Sequence, residues 1–236
     1  MDQIVNNAAK IRYIFGGEAT CPLVIRTPGG GGNQLTAQHS QSFDAWFAHV
    51  PGLKAVTPAR PADAHGLLKS AIRDDDPVLF LENLPLYKDK GEVSEDADAL
   101  TPIGRARVAR ERGDLTIVAH SYASCARCGS PSGWPTSTTC RSRSSTCARC
   151  ARSTSTRSPS RWRRPRALCV EEGWSTYGIT AELAARIHDA CFDWLDAPVG
   201  RVGAAEVPMP YAKNLEQAAL PGEGKIAAAA RRVLGV

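Results

Sequence analysis

An α/β fold with parallel strands is predicted by three features of the sequence. Short apolar runs at 22–26 (PLVIR), 53–57 and 78–82 alternate with segments of helical periodicity, and strands separated by helices return in the same direction and pair in parallel. The alternation resumes beyond residue 103, which implies a second α/β unit. Four consecutive glycines, 29–32, follow the first run. Such a run loses too much backbone entropy to sit in a helix or strand and predicts a flexible loop at the end of a strand.

In chain order, Asp2 is placed to cap a helix whose Ile4, Ala8, Ile11 and Phe15 share one face and which Gly16-Gly17 ends. The strand at 22–26 feeds the glycine loop, and the loop delivers His39 to the start of a helix that buries Phe43, Trp46 and Phe47. After the strand at 53–57, Pro61 suits the first turn of a helix with Ala64, Leu67, Leu68 and Ala71 on one face. The strand at 78–82 follows. Residues 84–101 are polar, acidic and aperiodic, so a linker, bounded at 89–102, divides a first unit over 1–88 from a second over 103–236. In the second unit strands are expected at 103–108, 115–120, 167–170 and 199–202. Helices are expected at 178–191, with Ile179, Leu183, Ile187 and Cys191 facing the core, and at 224–233.

Composition narrows the classes of function. No apolar run approaches the ~20 residues that span a bilayer, and Met1-Asp2 leads straight into an amphipathic pattern, so no signal peptide and no membrane role are expected and the cytoplasm is the expected compartment. The net charge of +5 is unevenly placed: residues 122–166 hold ten of the 29 basic residues and none of the 24 acids, leaving 19 against 24 elsewhere. A nucleic-acid partner is therefore not expected of the chain as a whole. Cys125, Cys128, Cys140, Cys147 and Cys150 lie in the same segment. Cys21, Cys169 and Cys191 are scattered, as in a reduced protein.

The segment 122–166 does not belong with its surroundings. It has 11 Ser, 10 Arg, 6 Thr, 5 Cys and 4 Pro and no Leu, Ile, Val, Met or Phe, so it cannot bury the apolar surface that ordering requires. Its Cys125-x2-Cys128 and Cys147-x2-Cys150 pairs have the spacing of a four-thiolate zinc site, and the arginines around them would make a zinc-stabilised basic binding module. The alternative is a reading frame displaced by one base in GC-rich DNA. Re-read so, with permissible codons chosen, residues 145–165 give VDLRALRPLDVDTLAESVAAT, a strand followed by a helix. On this reading the second unit lacks a helix–strand–helix and should not close a core.

The stretches RTPGGGGNQLTAQHSQSFDAWFAHVPGLKAVTP, KSAIRDDDPVLFLEN and DAPVGRVGAAEVPMPYAKNLE resemble the β subunit of the thiamin-diphosphate-dependent E1 component of 2-oxo acid dehydrogenase complexes, the pyruvate-type enzyme most closely. The resemblance covers 2–121 and 166–236, and the re-read segment contributes that family's DLR-x-L-x-PLD motif. It implies a partial transketolase-like pyrimidine-binding domain followed by a transketolase C-terminal-like domain interrupted by the foreign segment. It implies oxidative decarboxylation of a 2-oxo acid with acyl transfer to a lipoyl arm, and an α2β2 assembly with an α subunit that holds most of the thiamin diphosphate and its magnesium. A lipoyl domain and an acyltransferase core are the further partners it implies. His39, in AQHSQ, matches the active-site histidine, whose imidazole exchanges protons near neutral pH. Arg26 and Gln38 are placed to steady the loop.

Some members hold potassium, and the matching positions are Leu23, Ala71, Ile72, Asp74 and Asp76. A solvated turn at Asp74-Asp75-Asp76 is the alternative. The family's cofactor glutamate has no counterpart, so no cofactor-binding side chain is assigned, and Met1 matches an interior position. With that glutamate missing and the second unit interrupted, the expectation is a chain inactive as it stands and weakly or not at all able to assemble, with a non-catalytic interaction fragment as the rival reading. Glu171-Glu172-Gly173-Trp174 and Val207-Pro208-Met209-Pro210-Tyr211 are expected to shape subunit contacts. His49, His65, His120 and His188 have no partner that the sequence names.

Overall fold

A strand that is apolar at every position needs cover on both faces, and this requirement organises the molecule. The computed structural model describes residues 1–96, 98–109, 115–124 and 166–236, and in them two three-stranded parallel sheets form. The first has the order β1 (Val24–Gly29), β3 (Val78–Asn83), β2 (Lys54–Val56), with Val24 opposite Val78 and Val56 opposite Phe80. Alternation along β3 sends Val78 and Phe80 to one core, with Val56, Leu67 and Ala71, and Leu79 to the other, with Phe47, Leu53 and Ala55. Helix α4 (Pro61–Ile72) starts at Pro61 as expected and lays Leu67 and Ala71 on the first of these faces.

Around this sheet the helices are shorter than periodicity predicts. Residues 2–15 are not one helix: a π-helical turn over Gln3–Ala8 gives way at Ala9 to α1 (Ile11–Ile14). The break has a cause. Ala9 is buried against the turn at Gly52, where a Cβ would lie 1.8 Å from the Ala9 carbonyl oxygen, and Lys10 Nζ donates to Pro51 O at 2.5 Å. Phe15 is left exposed, and Asp2 accepts a bond from the Asn6 side chain instead of capping the backbone. The helix expected around Phe43, Trp46 and Phe47 is likewise two short ones, α2 (Thr36–His39) and α3 (Asp44–Ala48). The break places Phe47 in the core and Trp46, 64% exposed, outside it.

The second sheet has the order β4 (Thr116–Ala119), β5 (Ala167–Trp174), β6 (Gly200–Ala204). Helix α5 (Ile179–Cys191) covers one face, packing Leu183 and Ile187 on Val118, Ala167 and Cys169. Beyond β6 comes α6 (Lys213–Ala219), which the sequence did not predict, and then α7 (Glu223–Leu234), whose Ile226, Ala230 and Val233 cover Leu168, Val170 and Val202 on the other face. Both faces are thus closed within the described residues, contrary to the expectation that no core would form there.

Residues 103–108 do not form the expected strand. They turn at Ile103-Gly104 and make a single bridge at Arg107, while Ile103 packs on the first unit's core beside Leu67 and Phe80. The acidic connection is pinned to α4, with Ser70 Oγ donating to Thr101 O at 2.7 Å and Lys69 Nζ to Asp96 O at 2.7 Å. Among the described residues no helix is long and apolar enough to cross a membrane. The proposed zinc ligands Cys125, Cys128, Cys147 and Cys150 lie outside the described residues.

Candidate functional site

Residues 30–41 leave the end of β1 and return to it, closed by Gly30 N–H donating to Gln41 O at 3.0 Å. A compact loop with adjoining ends is a common carrier of function. The glycines are held rather than loose. Gly30 and Gly31 are buried, and at Gly30 (φ +84°) a Cβ would lie 2.2 Å from Asn83 Nδ2 and 2.6 Å from Glu172 Oε1. Two buried carboxylates of the second unit grip the loop's backbone. Glu172 accepts from Gly31 N–H at 2.5 Å and from the Asn83 side chain. Glu216 accepts from Gly32 N–H at 2.9 Å and from Gln34 N–H at 3.0 Å. Gln34 (φ 56°) and Thr36 (φ 67°) carry side chains in the left-handed region, a conformation that persists only where the surroundings enforce it.

His39 ends α2 rather than beginning a helix, and it is exposed, without a hydrogen-bond partner among the described residues. Gln38 meets the loop through its carbonyl, which accepts from Gln41 Nε2 at 3.3 Å. Arg26 instead pairs with Glu82, Nε to Oε1 at 2.8 Å.

Behind the loop lies a cavity of about 60 Å³ lined by Gly30, Asp44, Asn83, His120 and Glu172 among others. His120 is buried at the carboxyl end of β4, where its Nε2 meets the Asp44 carboxylate of α3. Burial would lift the Asp44 carboxyl, but the bond and charge of His120 hold it below its usual range. Burial would lower the His120 pKa, but Asp44 first, then Glu171 and Glu172, raise it. The neighbouring acids behave differently. Burial pushes Glu172 up to about 7, with the Asp44 charge adding to it, and also raises Glu171, whose carboxylate caps α5 by accepting from Ile179 N–H at 2.9 Å and Thr180 N–H at 3.1 Å. Thr57 Oγ1, Asn83 Oδ1 and His120 Nδ1 line the cavity without partners among the described residues, a set that a few waters would satisfy.

The sequence did not name the His120–Asp44 pair. The available signal was position: polar residues at the carboxyl ends of parallel strands, His120 after β4 and Glu171-Glu172 late in β5, are where α/β folds place their sites. Glu171 and Glu172 serve contacts within the chain. In the second run Met209 is buried, and Val207 and Tyr211 are exposed.

The five positions matched to potassium lie together at the end of α4. The Leu23 carbonyl accepts from Val78 N–H at 2.8 Å and the Ala71 carbonyl from Asp74 N–H at 3.2 Å, while Ile72 is exposed. Lys54 Nζ lies 2.5 Å from Asp74 and 3.0 Å from Asp76, and Arg12 lies 3.1 Å from Asp76. Partial burial would raise Asp76, but Lys54 and Arg12 hold it low. Both carboxylates of the set are therefore already balanced by side-chain cations.

Comparison with known proteins bears on this architecture. Residues 1–90 match the transketolase pyrimidine-binding domain, and residues 153–226 match the transketolase C-terminal domain, a match that begins inside the arginine-rich segment. A solved structure described as a split gene transketolase, inactive beta4 tetramer, shares the fold with a TM-score of 0.66 at 19% identity, over 99% of this chain and 73% of that one. The pyruvate dehydrogenase E1 component subunit beta of Dictyostelium discoideum, a mitochondrial protein, is 42% identical over 246 residues, covering 99% of this chain and 66% of its own. The Rhizobium meliloti subunit is 39% identical, covering 99% of this chain and 51% of its own, and the Rickettsia bellii subunit is 39% identical, covering 99% and 71%. The chain thus spans about two thirds, or less, of most of these relatives. With that identity sustained over nearly all its residues, the chain belongs to the family of pyruvate dehydrogenase E1 component β subunits.

Proposed function

We propose that the chain serves as the β subunit of a thiamin-diphosphate-dependent E1 component, decarboxylating pyruvate or a related 2-oxo acid together with an α chain in an α2β2 assembly. The acyl group passes to a lipoyl domain of an acyltransferase core, in the cytoplasm. The observation that carries this reading is an exposed imidazole, unpartnered among the described residues, at the end of a backbone-clamped loop, in a family whose members are E1 β subunits. The cavity behind the loop, about 60 Å³, has room for a few waters but not for thiamin, so a cofactor reached by His39 would bind outside it. That fits a subunit that completes a site with another chain.

Thiamin diphosphate, when bound, supplies the electron sink for decarboxylation. His39 holds or gives a proton at the reacting carbonyl oxygen of the 2-oxo acid, and the loop keeps the imidazole in place. Magnesium belongs with the diphosphate on the α chain. At the potassium positions the carboxylates are neutralised by Lys54 and Arg12, so the residues do not present a net charge for a further cation and no step runs through one. The arginine-rich stretch over 122–166 is read as out of frame, supported by the family motif that its re-reading recovers. Resequencing the gene there checks this.

In a reconstituted assembly with the α chain, His39→Ala is expected to lower 2-oxo acid decarboxylation at least ~100-fold, with the mass of the assembly unchanged. Undiminished turnover would overturn the assignment.

A further inference from the structure

Sequence puts the glycines and His39 in the first unit, yet the groups that fix them belong to the second. Three backbone donors of the loop, the N–H groups of Gly31, Gly32 and Gln34, end on carboxylates more than 140 positions away, Glu172 and Glu216. Each carboxylate is itself fixed. Glu172 is 5% exposed and sits late in β5, and Glu216 is 1% exposed on α6, which is tied to the end of β6 by Ala205 N–H donating to Ala219 O at 2.8 Å. Leu220 and Met209, from the ends of the same segment, close over Gly31, where a Cβ would meet them at 3.0 and 3.1 Å. The loop's strained residues, Gln34 and Thr36, fall between the last of these bonds and His39. A backbone held in an unfavourable region needs donors anchored on a rigid support, and here β5 and α6 provide it.

We propose that Glu216 and Glu172 are the positioning residues of His39. They act through the backbone of the glycine loop, so that the second domain sets where the first domain's imidazole lies. The inference rests on the reading of His39 as the proton-transfer group. It adds that the histidine's geometry depends on the packing of α6 and β5 and not on its own domain alone. A side chain that touches the reacting atoms loses function whenever it is replaced, whereas a positioning carboxylate acts through the order of the loop.

The test measures amide hydrogen exchange of the full chain, resolved over residues 30–41 and, as internal reference, over β1 and β3. In Glu216→Ala, exchange at Gly32 and Gln34 should quicken at least ~10-fold with the strands unchanged, and Glu216→Gln, which keeps an acceptor oxygen, should restore most of the protection. Should Glu216→Ala loosen the strands as well, Glu216→Asp decides, since it keeps the charge but draws the carboxylate back by one methylene: faster loop exchange over intact strands supports the proposal. Loop exchange as slow as in the parent, in either variant with intact strands, overturns it. In the α-reconstituted assembly, Glu216→Asp should lower kcat several-fold with KM little changed. If His39→Ala proves fully active while the exchange result holds, the reading of His39 fails and the clamp stands. If His39→Ala is inactive but the loop stays protected in the Glu216 variants, the clamp fails and His39 stands.

Discussion

Two groups of carboxylates, at opposite ends of β3, are neutralised in opposite ways. At the end of α4, Asp74 and Asp76 are partly open to water and answered by full cations, Lys54 and Arg12. Between the two domains, Asp44, Glu171 and Glu172 are buried with one imidazole, and the remaining charge falls on backbone N–H groups and a side-chain amide. Water screens the first group, so its pairs contribute little each. The second group has no such relief. Three acids share one base, and Glu172 is driven up to about 7 chiefly by burial. Burial rather than residue type decides which carboxylates govern stability.

Asp44→Ala has the largest expected effect, because it leaves His120 buried with neither nitrogen partnered among the described residues. A loss of about 4 kcal/mol in denaturant unfolding is expected, as for a buried pair deprived of one member. Glu172→Ala removes the acceptor of Gly31 N–H and of Asn83, at a cost of about 3 kcal/mol. Glu172→Gln should be close to neutral, because Asn83 Oδ1 has no partner and a turned Asn83 amide can accept from the new amide.

The dependence on pH sharpens the contrast further. Glu172 is raised, so the folded chain binds more protons than the unfolded one between about 4.5 and about 7, and stability falls as pH rises through that window. His120, also raised, acts in the same direction: its contribution is full below 6.5 and is lost as pH climbs through its folded value. Asp44, lowered, contributes above 3.8 and is lost as pH falls below that. Melting between pH 5 and 8 should therefore show a decline of about 2 kcal/mol, halved or more in Glu172→Gln. A flat profile in the parent would show that Glu172 titrates as an ordinary carboxylate. The smallest effect belongs to the open group: Lys54→Met should cost about 1 kcal/mol at low salt and less at high salt.

Much of the fold was legible because its rules are local. Leu79 and Phe80 sit in a short apolar run bounded by Pro77 and Asn83, and Pro61 marks the first turn of α4, so the strand and helix follow from neighbours in sequence. The second domain's helix over Ile179–Cys191 showed its core face directly. Where reading failed, distant contacts had overridden the local pattern. Gly52 against Ala9 broke the first helix, and the break between α2 and α3 left Trp46 outside the core. The acids at Glu171-Glu172 looked like the end of a strand, yet the strand runs on to Trp174 because each carboxylate finds donors in space. His39 is proposed from its motif. The carboxylates that clamp its loop were not legible, since nothing near Gly31 in sequence announces a partner at Glu172 or Glu216.

One feature of β5 bears on how the two domains could part. Its register against β6 shifts between Val170 and Trp174, and across that irregularity two consecutive carboxylates are divided between domains. Glu171 stays with its own domain as the cap of α5, and Glu172 reaches across. A separating rotation would undo Glu172, Glu216 and His120 contacts together while leaving α5 capped, so opening would be all-or-none at the seam and would leave each half's own helices intact.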